Sequence, residues 1–216
     1  MSGQASLWAA TARERADYPA LEADLQADVA VIGGGILGLS TALALAEAGR
    51  SVVVLEAAEI GAGASGRNGG LVVPSLPRVG PDDVLRRLGE LRGGSFIRTV
   101  LGAPAEVAGM IARFGIACGF TQAGWLNPAH GPAMVAGLER RLAAWQLFGS
   151  PATLLSRAQA RARIGSDAFF GAIADPTGGH LNPLDYTRGL ARAAHAAGAR
   201  VFAESPLRAA QRQGDR

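Results

Sequence analysis

Residues 28–70 read DVAVIGGGILGLSTALALAEAGRSVVVLEAAEIGAGASGRNGG, and the order of signals in this stretch decides the fold. Asp28–Ile32 is a short run rich in β-branched residues, of a length suited to a buried parallel strand. Gly33-Gly34-Gly35-Ile36-Leu37-Gly38 satisfies G-x-G-x-x-G and opens an Ala/Leu-rich helix over 36–48, closed by Gly49. Ser51–Leu55 is a second apolar strand. Glu56 ends it, about 20 positions beyond the first glycine, where a dinucleotide fingerprint carries its acid.

Each part has a physical task. Gly33 permits the tight turn, Gly35 lets a pyrophosphate approach the backbone, and Gly38 lets helix and strand pack closely. The free N–H groups of the helix start face the diphosphate at the positive end of the helix dipole. Glu56 is placed to accept hydrogen bonds from the adenosine ribose hydroxyls and to repel a 2′-phosphate. A membrane helix over 29–46 is the competing reading, but three successive glycines, Glu47 and the following strand oppose it. The fingerprint does not by itself choose between FAD and NAD.

A glycine-rich run follows, with Ala64, Ser65, Arg67 and Asn68 among its glycines up to Gly69 and Gly70, and Leu71-Val72-Val73 directly after it. Such glycines suit a flexible spacer, and equally a backbone passing close beneath a large flat ligand. The expectation is that ligand, rather than its own packing, orders this loop.

VIGGGILGLSTALALAEAG, VVVLEAAEIGAGASGRNGG and the later GGHLNPLDYTRGLARAAHAAGARVFAESPL together resemble the FAD-dependent amine and amino-acid oxidoreductases, the group of D-amino-acid oxidase, glycine oxidase and sarcosine oxidase. GASGRNGG looks most like the γ-glutamylputrescine-oxidase-like branch. The resemblance implies an FAD-binding α/β fold, a Rossmann-like doubly wound domain with an inserted α+β portion of a substrate domain. It implies Gly33, Gly35, Ile36, Leu37 and Gly38 at the pyrophosphate turn, and Glu56 and Ala57 at the ribose end of the second strand. Ala64, Ser65, Gly69, Gly70 and Leu71 fall on the loop nearing pyrophosphate and ring, with Arg67 and Asn68 between them, and Leu207 where the backbone lies near adenine. Arg67 stands where some relatives carry a flavin-linking histidine, so the implied FAD is non-covalent. In the family, hydride passes from the amine-bearing carbon to the flavin, giving an imine that water hydrolyses. The implied substrate is a small amine or amino acid.

The remainder of the chain fits one discontinuous domain with an insertion. The helix expected over 183–197, Gly198 and an apolar strand over 200–204 supply a third parallel strand. Residues 1–75 and 176–216 thus make the FAD-binding domain, and 76–175 the inserted part. In the insertion, helices are expected over 84–100 (bent at Gly93-Gly94), 105–114, 132–148 and 156–164, with strands over 116–120, 124–128 and 169–174. The first 27 residues read as an irregular arm across the strand that follows, anchored by Trp8 and Tyr18, and the third strand as an open edge.

Composition narrows the partners. Of 216 residues 49% are hydrophobic and 18% charged, a globular balance. Every one of the 21 basic residues is Arg, scattered, for a net charge of +3, which gives nucleic-acid binding little support. The single cysteine, Cys118, excludes an internal disulfide and sits among apolar residues. His130, His180 and His195 are too dispersed for a zinc site, and no nucleophile–base pair is recognisable, so no catalytic residue is named. The N-terminal segment holds Arg13, Glu14, Arg15 and Asp17 without an apolar core of a signal peptide, so a cytoplasmic location is expected. Family members run to roughly two domains of chain, and this sequence matches their N-terminal half, ending in a polar tail at 211–216. A truncated form is therefore expected. An NAD-linked domain, an inactive remnant, and a non-catalytic FAD-binding subunit whose partner chain completes the sheet stay open as alternatives.

Overall fold

A computed structural model describes residues 6–76 and 78–212; Pro77 and the last four residues of the polar tail lie outside it, as do residues 1–5. In chain order the elements begin α1 Leu7–Ala10, β1 Val29–Ile32, α2 Ile36–Glu47, β2 Val52–Leu55, β3 Leu71–Val72 and α3 Pro81–Phe114. They continue β4 Trp125–Pro128, α4 Pro132–Gln146, β5 Thr153–Leu155, α5 Arg157–Ile164, β6 Ala172–Asp175, β7 Gly179–His180, α6 Pro183–Ala196 and β8 Arg200–Phe202. Contacts divide them into two compact units. Of the described residues, the first comprises 6–70, 110–120 and 181–212, the second 71–76, 78–109 and 121–180. These boundaries differ from those expected of the sequence: 110–120 join the first unit, while 71–75 and 176–180 join the second.

The first unit is built on a parallel sheet of order β1-β2-β8. Val52, Val53 and Val54 of the central strand are buried on both faces, as a continuous β-branched run requires; each contributes about 1.5–3 kcal/mol of burial. α2 buries Leu39, Ala42, Leu43 and Ala46, one helical stripe, and packs against α6. Asn182 caps α6 by accepting the N–H groups of Leu184 and Asp185, with Pro183 at the first turn.

Several expectations are corrected here. β1 is not buried: Ala30 is exposed and Ile32 is 52% exposed, because β1 pairs with β2 alone and its outer edge has no partner among the described residues. β8, at the other end of the sheet, also pairs with β2 alone, so the edge expected at the third strand is present and β1 forms a second one. Beyond β8 runs the N-terminal arm, with Ala203 N–H donating to Pro19 C=O at 3.1 Å and Leu21 N–H to Ser205 Oγ at 2.8 Å. The arm is not wholly irregular, since Ser6 caps the short α1. Buried carboxylates fix it. Asp185 Oδ1 accepts the N–H groups of Arg13 and Glu14, each at 2.8 Å. Glu14 accepts from Ala117 N–H at 2.8 Å and from Arg192 at 3.1 and 3.2 Å. Burial alone would raise the Glu14 carboxyl; the bonds from Arg192 and Ala117 outweigh it and hold the group below its ordinary value.

Residues 116–120 form no strand. Their backbone partners are a carboxylate and a helix cap residue: Ala117 N–H goes to Glu14, and Cys118 C=O accepts Asn182 N–H at 2.8 Å. Burial raises the Cys118 thiol, as befits an inert core cysteine.

The second unit holds an antiparallel sheet of order β4-β6-β5 and the β3–β7 pair. α4 packs Leu138 and Leu142 with Ala129, Ala152 and Ile173, while Trp145 joins Val84 and Ile97 in a second cluster. The helical break falls at Gly89 (φ 72°, ψ 169°) rather than at the buried Gly93-Gly94 pair. The sequence also left β5 unread. Ser156 and Gln159 form a reciprocal capping box at α5. No described helix is long and apolar enough to cross a membrane.

Candidate functional site

The glycine turn lies at the C-terminal ends of β1 and β2, where open α/β sheets bind ligands. Gly33 adopts φ 107°, open to glycine almost alone, and its N–H donates to Leu55 C=O at 2.8 Å. A Cβ on Gly38 would stand 2.2 Å from Gly33 C=O, so the helix start and the turn touch backbone to backbone. Gly35 is the N-cap of α2 and offers no side chain to it. Ser65, from the glycine-rich loop, supplies the cap instead: its Oγ accepts Ile36 N–H at 3.0 Å. Leu39 N–H bonds Gly35 C=O, which leaves Leu37 and Gly38 as first-turn donors that no described side chain takes.

Glu56 closes the turn from the other side. Its Oε2 accepts Gly34 N–H at 2.6 Å and its Oε1 accepts Ala58 N–H at 3.0 Å. A carboxylate has about four acceptor sites, so the two oxygens retain capacity for a pair of hydroxyls. The strand end is itself pinned, Glu56 N–H to Phe202 C=O at 2.9 Å and Ser205 N–H to Glu56 C=O at 2.8 Å.

The loop 64–70 carries its own order, contrary to the expectation that ligand alone would supply it. Residues 64–66 form one 3-10 turn. Asn68 Nδ2 donates to the carbonyls of Ser65 (2.9 Å) and Ala64 (3.2 Å), and its Oδ1 accepts Gly70 N–H at 2.9 Å. Arg67 Nε donates to Ala62 C=O at 2.7 Å, and Trp8 Nε1 to Asn68 C=O at 2.9 Å. The arm's tryptophan thus anchors on the loop. Thr187, fully buried on α6, reaches Ser65 C=O at 3.4 Å. Neither long-range contact has a sequence signal beyond an aromatic in the arm and a threonine in a helix.

Of the residues the sequence singled out, Gly33–Gly38, Glu56 and Ser65 are joined by hydrogen bonds into one cradle. Ala57 and Gly69 are exposed beside it in the chain. Leu207 is 49% exposed in the segment after β8, and Leu71, 64% exposed, opens β3 in the second unit. A backbone-lined turn, two free first-turn donors and an acid at the strand end fit the ADP half of a dinucleotide.

The sequence model described as FAD dependent oxidoreductase matches residues 28–216, nearly the whole chain. The chain belongs to the FAD dependent oxidoreductase family. That decides for FAD where the fingerprint left NAD open. Among its relatives, the gamma-glutamylputrescine oxidoreductase of Escherichia coli (strain K12) is 39% identical over 208 residues, 91% of this chain and 46% of that protein. The crystal structure of glycine oxidase from Geobacillus kaustophilus superposes with a TM-score of 0.65 at 26% identity, covering 82% of this chain and 46% of that one. The L-amino acid deaminase of Proteus myxofaciens shares the fold, with a TM-score of 0.75 at 21% identity over 93% of this chain and 44% of that one. The chain thus spans about half the length of the family relatives it matches.

Proposed function

We propose that this chain binds the ADP half of a non-covalent FAD within a flavoenzyme that oxidises the C–N bond of a small amine or amino acid. The observation that carries the reading is the 2.6 Å bond between Glu56 Oε2 and Gly34 N–H, which joins the strand-end acid to the glycine turn. Leu37 and Gly38 N–H hold the diphosphate at the positive end of α2, and Glu56 takes the ribose hydroxyls. The loop 64–70 presents Ser65, Gly69 and Gly70 toward the cofactor, while the backbone at Leu207 flanks it further along. Bound FAD supplies the two-electron acceptor for the carbon beside the amine nitrogen. Arg67 and Asn68 shape the loop, and Arg67 carries no nucleophile that would link covalently to flavin. The substrate class is supported by two relatives, a gamma-glutamylputrescine oxidoreductase and a glycine oxidase. No residue of this chain is assigned as a catalytic group.

The test is FAD titration of the purified chain, followed by flavin fluorescence, with NADP⁺ as competitor. Glu56→Ala is expected to weaken FAD by about 1.5–3 kcal/mol, the range for a hydrogen bond to a charged group. Equal affinity in a folded variant would remove Glu56 from the site.

A further inference from the structure

The N-terminal arm meets the glycine-rich loop through a closed circuit of hydrogen bonds, all of them inside the first unit. Trp8 Nε1 donates to Asn68 C=O at 2.9 Å, and Trp8 C=O accepts from Asn182 Nδ2 at 3.1 Å. The same nitrogen of Asn182 donates to Thr11 Oγ1 at 3.2 Å. Leu181, the residue before it, returns to the loop: its N–H donates to Gly70 C=O at 2.8 Å. Residues 68–70 are thus tied both to the arm and to the chain entering α6. From Asn68 the bonds run on toward the glycine turn. Its Nδ2 donates to Ser65 C=O at 2.9 Å, and Ser65 Oγ accepts Ile36 N–H at 3.0 Å at the start of α2.

Buried bonds hold the arm in place beneath this circuit. Asp185 is 1% exposed, and the hydrogen bonds to its carboxylate among the described residues come from the N–H groups of Arg13 and Glu14. A buried carboxylate stripped of its donors is strongly destabilising, so the arm stays on α6. The Trp8–Asn68 bond is different, because it lies at the exposed surface where water can replace either partner. Its net worth to folding is small beside the buried bonds. What it fixes is the place of one loop.

We infer that Trp8 is a positioning residue for the cofactor: the docked arm sets loop 64–70 before FAD arrives, so arm and FAD bind with positive coupling. The inference rests on the FAD reading above. Trp8 acts through Asn68 and not on the flavin itself. Ordering a loop in advance of its ligand removes that cost from binding. Coupling is reciprocal, so bound FAD tightens Trp8 against Asn68 by the same factor.

The test titrates the 216-residue chain and its Trp8→Phe variant with FAD and with ADP, alongside ¹⁵N spectra of the indole N–H groups. Trp8→Phe keeps an aromatic ring and deletes the donor, and the signal it loses identifies Trp8 among the three indoles. FAD affinity is expected to fall about fivefold in the variant, the lower end of typical couplings. ADP affinity should stay unchanged, because ADP stops short of the loop. In the wild type, the Trp8 indole N–H should exchange with solvent about fivefold more slowly with FAD bound, and at its free rate with ADP. Thr11→Val removes the acceptor used by Asn182 and should weaken FAD in the same sense; it decides if Trp8→Phe fails to fold. Equal FAD affinity in wild type and folded variants, equal weakening of FAD and ADP, or Trp8 exchange indifferent to FAD would overturn the coupling and leave the FAD reading standing. Failure of the wild-type chain to bind FAD would overturn both.

Discussion

Two glycine-rich segments, 33–38 and 64–70, are built for opposite reasons. In the first, backbone geometry leaves no alternative: Gly33 holds a left-handed φ, and Gly38 meets the turn carbonyl where a Cβ would stand 2.2 Å away. In the second, side chains give the order: Asn68 bonds three backbone groups of the loop, and Ser65 reaches out to cap α2. This second segment has two comparable positions: a Cβ on Gly66 would stand 2.2 Å from Gly61 C=O, and Gly70, at φ 67°, has Leu181 C=O 2.2 Å from a built Cβ. Glycine content alone therefore does not say whether a loop waits for its ligand. The polar residues between the glycines do.

The largest effect should come from Gly38→Val, which forces α2 off the turn. More than about 4 kcal/mol of stability should be lost, read by urea unfolding; a mild loss would mean the close approach is relieved cheaply. Asn68→Ala should cost about 1–3 kcal/mol locally, seen as faster amide exchange over 64–70 with the turn still protected. Loss of protection in both segments alike would break the contrast. Trp8→Phe removes one bond to the loop and should cost about 0.5–1.5 kcal/mol, with Gly70 exchange as the readout. Gly69→Val, at an exposed position, should stay within about 0.5 kcal/mol in stability yet lower FAD retention; unchanged retention would make the loop a spacer.

The smallest effect concerns pH. The Glu14 carboxyl is lowered in the folded protein, so its contribution is present above the unfolded carboxylate value and is lost as pH falls through the folded one. Melting followed from neutral to acid should show a decline that Glu14→Gln flattens. Identical profiles would detach the arm from this pair.

The first unit was legible where local pattern and tertiary need coincide. The turn, both flanking strands, the third strand and Glu56 follow from spacing that the sheet itself imposes. Burial of β1 was misread because an apolar run reports the strand, not what lies beside it. The strand expected over 116–120 failed because buried carboxylates and caps claim that backbone, and such pairings between residues about a hundred apart leave no periodic trace. Likewise Ser65 as the cap of α2 and Trp8 on Asn68 join distant segments. Local capping signatures, such as Ser156 with Gln159, are written in adjacent residues and hold at α5.

The most direct test of the cofactor site is a ¹⁵N amide titration of the chain with ADP and then with FAD. The Leu37 and Gly38 amides should shift with both ligands, along with Gly34 beside Glu56, while FAD should add shifts in loop 64–70 that ADP does not produce. An unmoved Leu37 and Gly38 in the presence of bound FAD would contradict the placement of the diphosphate at the start of α2.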